Sequence, residues 1–351
     1  MVRVLVAEDS STARDLLVRI LGAHPELEVV GEARNGREAV DLTHQLKPDV
    51  VTMDIQMPEL DGLLATQRIM TELPTPIVIV SGYDVKAMDF SLRALRAGAL
   101  AVLPKPPGPL SPGFAAASRD LTFTVQAMSR VRLSKGWGGP RRKSPTPPPA
   151  GLQLEPKGAL DFIAIGASTG GPAAIHQVLS ELPASFRVPL LLVQHIAPGF
   201  TEGLASWLGT AGPLCVKVAV NGELLRAGTV YLAPDRKHLT LTRNGKVALT
   251  NAFSPTGICP SVDRLLNSLA DEVGPRAGAV ILTGMGRDGL EGASALFSKG
   301  GRVAAQDEES SIIFGMPKEV IQAGVVHRVV ALKNVARLLV DWSLDDLNPR
   351  L

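Results

Sequence analysis

The sequence predicts an α/β protein built from two doubly wound domains, each a parallel sheet with helices on both faces. Three observations carry this. The chain has 351 residues, more than one ordinary domain holds. Short β-rich runs alternate with helical patterns, first over about a hundred residues and again after residue 158; such alternation builds parallel sheets covered on both sides. Between the two series lies KGWGGPRRKSPTPPPAG (135–151). Its Pro, Gly and positive charge cannot bury a core, so it reads as a tether. The expected boundaries are 1–133, a linker over 134–157, and 158–346.

In the first domain VRVLVA (2–7), EVVGEA (28–33), DVVTM (49–53), PIVIV (76–80) and ALAVL (99–103) are apolar runs of strand length. Helical spacing falls between them at 11–22, 36–46, 62–72 and 85–97. Phe114, Leu121, Val125 and Met128 extend that spacing into a fifth helix. In the second domain strands are expected at 161–165, 188–193, 228–233, 278–283, 302–306 and 327–331. HLTLTRNGKVALT (238–250) alternates on both sides of Asn244-Gly245, a hairpin signal.

Hydrophobic residues make up 45% of the chain and net charge is +2. The first figure suffices for two cores. The second gives no global field toward nucleic acid or a membrane. Cys215 and Cys259 have no metal-type spacing and read as two free thiols in a reducing compartment. MVRVLVAED lacks a signal-peptide layout, and no apolar run reaches the roughly 18 residues of a membrane span. The expectation is a soluble cytoplasmic protein that neither inserts into a membrane nor binds nucleic acid. The linker's basic cluster is read as a solvated tether.

Chemistry in a doubly wound sheet collects at the carboxyl ends of its strands. In the first domain those ends carry Glu8-Asp9, Asp54, Ser81 and Lys105. Converging carboxylates repel unless a hard cation shares them, and a few carboxylate oxygens with room for water and phosphate suit Mg²⁺. Asp54 follows the central strand and can attack phosphorus. Lys105 can balance the charge, and the Ser81 hydroxyl can bond a phosphoryl oxygen.

The second domain places a serine in DFIAIGASTGGPAAI (161–175), at a bend between a strand and a helix. That form suits a nucleophile elbow. It equally suits a phosphate cradle, although neither the Walker lysine nor G-x-G-x-x-G spacing is present. LLLVQHIAPGFT (190–201) sets His195 just past a strand, and AVILTGMGRDGLEG (279–292) sets Asp288 in a glycine-rich loop after another. Each alone has a structural reading, Asp288 as N-cap of the helix that follows it. Together Ser168, His195 and Asp288 match the nucleophile, base and orienting carboxylate of an acyl-transfer triad. Arg226, Arg236 and Lys237 either guide an acidic substrate or are solvated surface charge.

Residues 1 to about 130 resemble a response-regulator receiver domain through "AEDS", "DVVTMDIQMPELDGL", "SG" and "LPKP". The resemblance implies a flavodoxin-like fold, Mg²⁺ held by Glu8, Asp9 and Asp54, and phosphotransfer to Asp54 from a histidine kinase. Val102 stands where receivers often carry an aromatic switch residue, so another relay must serve. Residues 158 to 345 resemble the CheB-type protein-glutamate methylesterase domain through "IGASTGGP", "VQHIAPGFT", "VYLAPDRKHL", "CPSVDRLL", "LTGMGRDGLEG" and "QDEESSIIFGMPKEV". That implies a Rossmann-like hydrolytic domain without a cofactor, Ser168 as nucleophile, His195 as base and Asp288 as its orienter. It further implies oxyanion donors near Thr169 and Met285. The implied substrates are glutamate methyl esters, and particular glutamines, on the cytoplasmic helices of chemoreceptors. The implied phosphodonor is a chemotaxis-type histidine kinase, whose signal activates the hydrolase. A phosphorylation-gated binding protein without hydrolysis is the alternative.

Overall fold

The computed structural model describes residues 1–82, 93–94, 97–131, 156, 158–196, 198–251 and 257–344. The chain divides into two compact units, Met1–Ser144 and Pro145–Leu351. The expected helix at 85–97 and the linker at 134–157 lie almost wholly outside the described residues.

The first unit holds five parallel strands in the order β2-β1-β3-β4-β5: β1 (Val2–Ala7), β2 (Leu27–Ala33), β3 (Val50–Met53), β4 (Ile77–Ser81) and β5 (Ala101–Pro104). β3 and β4 are buried along their whole length, as strands covered on both faces must be. Polar side chains start the helices. Asn35 accepts from Glu38 N at 2.8 Å and Asp61 from Leu64 N at 2.7 Å, each satisfying an N-terminal amide that the helix itself cannot. The fifth helix forms over Phe114–Ser129 and buries Leu121, Val125 and Met128 as its spacing predicts.

The second unit is a seven-stranded parallel sheet in the order β14-β13-β12-β6-β7-β9-β8. The strands are β6 (Phe162–Ala167), β7 (Leu190–Gln194), β8 (Cys215–Val218), β9 (Thr229–Leu232), β12 (Ala277–Ile281), β13 (Arg302–Gln306) and β14 (Arg328–Val330). β10 (His238–Leu241) and β11 (Val247–Thr250) form the expected hairpin as a separate antiparallel pair, with Gly245 at φ 69° in its loop. β8 was not foreseen. It is an edge strand of four residues, CVKV, with Lys217 inside it and no buried residue. Chain order reverses at β6, with β7 on one side and β12 on the other. Loops leaving the carboxyl ends of such neighbours part and open a crevice. Ser168, His195 and the Thr283–Asp288 loop emerge there.

Candidate active site and phosphoacceptor pocket

Register places the serine beside the histidine. Ala167 pairs with Gln194 across β6 and β7, and His195 N donates to Ala167 O at 3.0 Å. On the other side Ser168 N donates to Thr283 O at 3.1 Å. The turn is therefore pinned by backbone from both sides, at Ala167 by His195 and at Ser168 by Thr283.

The glycines of the turn are explained by close packing. Gly170 has φ 78°, and a methyl group there would lie 2.7 Å from Ile312 Cβ. One at Gly171 would run into Gln194 Oε1. These contacts account for glycine at both positions of the turn.

His195 Nε2 lies 2.7 Å from Asp288 Oδ2. A carboxylate only accepts, so Nε2 is the nitrogen that donates here, and in a neutral imidazole Nδ1 would hold the lone pair. No hydrogen bond joins the Ser168 hydroxyl to His195 in this structure, and such contacts commonly tighten only with substrate bound. Asp288 is 2% exposed. It accepts three more bonds: Val262 N at 2.7 Å on Oδ2, and Ser261 Oγ at 2.7 Å and Asp263 N at 3.1 Å on Oδ1. Burial pushes its carboxyl up, but His195 and these donors outweigh burial and hold it at about 2. The alternative in which Asp288 caps the helix that follows it does not hold. The helix that follows it, Leu290–Ser298, has Gly289 at its cap with no side-chain bond. Asp288 instead binds the first turn of Val262–Glu272, far earlier in the chain.

The Thr169 and Met285 N–H groups have no acceptor among the described residues. The Thr169 carbonyl is held by Thr283 Oγ1 at 3.0 Å. Gly284, just before Met285, sits so close that a methyl group on it would lie 2.8 Å from Ser168 Cβ. Both amides thus belong to segments packed at the serine, as an oxyanion site requires.

In the first unit Ala7 pairs with Met53, which sets Glu8 beside Asp54. The Glu8, Asp9 and Asp54 carboxylates each present an oxygen within 4.8 Å of the others. Lys105 Nζ lies 2.8 Å from the Glu8 carboxylate and 2.9 Å from Asp54 Oδ2. Burial, opposed by Lys105, leaves Glu8 raised to about 6 and Asp54 raised as well. This all-oxygen, hard donor set suits Mg²⁺. Ser81 ends β4 and is buried. Gly62, from the quoted motif, packs on the backbone of Asp54, where any side chain would collide with its carbonyl.

The response regulator receiver domain family matches residues 4–110, and the CheB methylesterase family matches residues 163–339. A Myxococcus xanthus protein named protein-glutamate methylesterase/protein-glutamine glutaminase 4 is 54% identical over 96% of each chain. The chain belongs to the CheB methylesterase family. A second relative, protein-glutamate methylesterase/protein-glutamine glutaminase 3 of Anaeromyxobacter dehalogenans, is 50% identical over 97% of this chain and 99% of its own. The Thermotoga maritima CheB methylesterase catalytic domain superposes with a TM-score of 0.50 at 39% identity, over 52% of this chain and 98% of that one.

Three side chains of this CheB-family site were given no role from sequence. Gln194 Nε2 donates to the Ser168 carbonyl at 2.7 Å and the His195 carbonyl at 2.8 Å. Ser261 and Asp263 meet Asp288. All three stood inside quoted motifs, "VQHIAPGFT" and "CPSVDRLL", but only the folded chain shows what they touch. Arg226, Arg236 and Lys237 are exposed, as are the free thiols Cys215 and Cys259. Among the described residues no helix is long and apolar enough to cross a membrane.

Proposed function

We propose that this chain is a phosphorylation-activated hydrolase that removes methyl esters from glutamate side chains of chemoreceptors and deamidates receptor glutamines. The observation that carries the reading is the His195–Asp288 bond at 2.7 Å beside the pinned Ser168 turn. Ser168 Oγ attacks the γ-carbonyl while His195 Nδ1 takes its proton. The Thr169 and Met285 N–H groups receive the oxyanion, a contribution of about 3–4 kcal/mol per donor in hydrolases. His195 returns the proton to the departing methanol, or to ammonia from glutamine. Water, deprotonated by His195, then frees the glutamate and restores Ser168. Asp288 holds the imidazole in the Nε2–H form and stabilises the imidazolium.

The domains proposed are a receiver at 1–133, a linker at 134–157 and the hydrolase at 158–346. In the receiver Glu8, Asp9 and Asp54 would hold Mg²⁺, which when bound offsets phosphoryl charge during transfer. Asp54 is the phosphoacceptor for a chemotaxis-type histidine kinase, with Ser81 and Lys105 contacting the phosphoryl group. Phosphorylation adds nearly two negative charges beside Lys105. Val102 is half-buried against the apolar core, so the signal leaves by another route than an aromatic switch.

The test is methanol release from methyl-labelled receptor membranes by the purified chain, with and without a small phosphodonor. Release stimulated by phosphodonor supports the proposal. No release under either condition overturns it and returns the non-hydrolytic binding protein.

A further inference from the structure

We propose that Asp263 is a positioning residue for Asp288, acting through a reciprocal exchange of helix caps. Asp288 accepts from Val262 N and Asp263 N, the first amides of the helix Val262–Glu272. Asp263 Oδ1 accepts from Gly289 N at 2.9 Å and Gly292 N at 2.8 Å, the cap and third-residue amides of the helix Leu290–Ser298. Each aspartate stands in the first turn of one helix, or just before it, and caps the other.

The arrangement is more than routine capping. Val262–Glu272 already has Ser261 at its cap, accepting from Arg264 N at 3.4 Å. One acid at each N-terminus favours each helix, but two carboxylates in contact repel. Burial first, then the Asp288 charge, pushes Asp263 up to about 6 against the pull of the Gly292 and Gly289 amides. A plain cap would need no such neighbour. What this geometry adds is control of the peptide that follows Asp288: Gly289 N is bonded directly to Asp263. The Asp288 backbone is thus tied to the helix that its own carboxylate grips.

The surrounding packing leaves that clamp little slack. Gly289 has φ 101°, and a methyl group on it would lie 3.0 Å from Val262 Cγ1. A methyl group on Gly292 would lie 2.6 Å from Leu266 Cβ and 2.9 Å from Asp263 Cα. The two helices touch at the point where the carboxylates cross. Small displacement of a catalytic group is costly to rate, so a rigid double clamp has a direct use at this position.

The inference rests on the proposed role of Asp288, and the experiment separates the two. Full-length Asp263→Ala and Asp263→Asn are compared with the parent. The first readout is the downfield proton resonance of the His195–Asp288 bond, identified as the one lost in Asp288→Ala. It needs no substrate, so it reports on the clamp even if no esterase activity is found. The second is kcat and KM for methanol release. Asp263→Ala is expected to shift or abolish the resonance and lower kcat at least tenfold, with KM within twofold. Asp263→Asn keeps an Oδ1 acceptor for Gly289 and Gly292, and is expected to restore the resonance and most of kcat. An unchanged resonance with kcat within twofold in Asp263→Ala overturns the proposal. So does an Asp263→Asn as impaired as the alanine variant. Should the alanine variant not fold, Asp263→Glu keeps the charge but displaces the acceptor by one methylene. It must also lose the resonance and kcat, and parental values there overturn the clamp.

Discussion

Replacing Asp288 by asparagine tests how the carboxylate supports His195, and the structure sets the size of the effect. Oδ2 faces two donors, His195 Nε2–H and Val262 N–H; Oδ1 faces Ser261 Oγ–H and Asp263 N–H. An asparagine must turn its NH₂ toward one pair. The Ser261 hydroxyl can rotate to accept, whereas Val262 N–H cannot. The NH₂ therefore goes to the Ser261 side and gives up only the 3.1 Å bond from Asp263 N. The amide oxygen stays on His195 and keeps the Nε2–H form. What is lost is charge beside the developing imidazolium. Breaking a buried ion pair costs about 3–5 kcal/mol, so kcat should fall by between about a hundredfold and a few thousandfold. Loss of the correct tautomer would instead cost about ten-thousandfold. The assay is methanol release at saturating methylated receptor with phosphodonor present. Adding Ser261→Ala removes the acceptor that orients the amide and should lower kcat roughly tenfold further. A single variant within tenfold of the parent would refute support of His195 by Asp288. A single variant already at ten-thousandfold and indifferent to Ser261→Ala would refute the orientation argument.

Ser168→Ala should abolish methanol release, by on the order of a million-fold for a triad nucleophile; retention of a tenth of the rate would remove Ser168 from the mechanism. Gln194→Leu leaves the Ser168 and His195 carbonyls without their shared donor, and should destabilise the chain by about 1–3 kcal/mol in urea melts; an unchanged midpoint would show that the bridge contributes nothing. Asp54→Ala should lose all phosphodonor-dependent label, and acid-stable label in that variant would mean another acceptor. Asp288 is held at about 2 against an ordinary 3.8, so its stabilising contribution is complete above about 4 and is lost as pH falls toward 2. That contribution is on the order of 2 kcal/mol. The stability gap between parent and Asp288→Asn should narrow over that window, and a gap independent of pH from 5 to 2 would contradict the assignment.

Much of the fold was legible because burial imposes local periodicity. Strands covered on both faces must be continuous apolar runs, and β3, β4, β6, β7 and β12 stand out for that reason. Their carboxyl ends could be read directly, which located Asp54, Ser81, Ser168, His195 and the loop of Asp288. β8 escaped because it has only four residues, Lys217 among them, and so forms no apolar run. The sequence by itself determined which residues stand at strand ends, because the alternation that marks a strand is local. Only tertiary structure decided which ends meet. β12 comes five strands after β7, yet it lies beside β6 because the chain reverses direction across the sheet. The same holds for the ring nitrogen that faces Asp288, and for the helices that Asp263 and Asp288 cap. A cap seen in sequence is the nearest polar residue. A cap in a folded protein is the nearest acceptor in space, and here each lies on the other helix's segment, about 25 residues away.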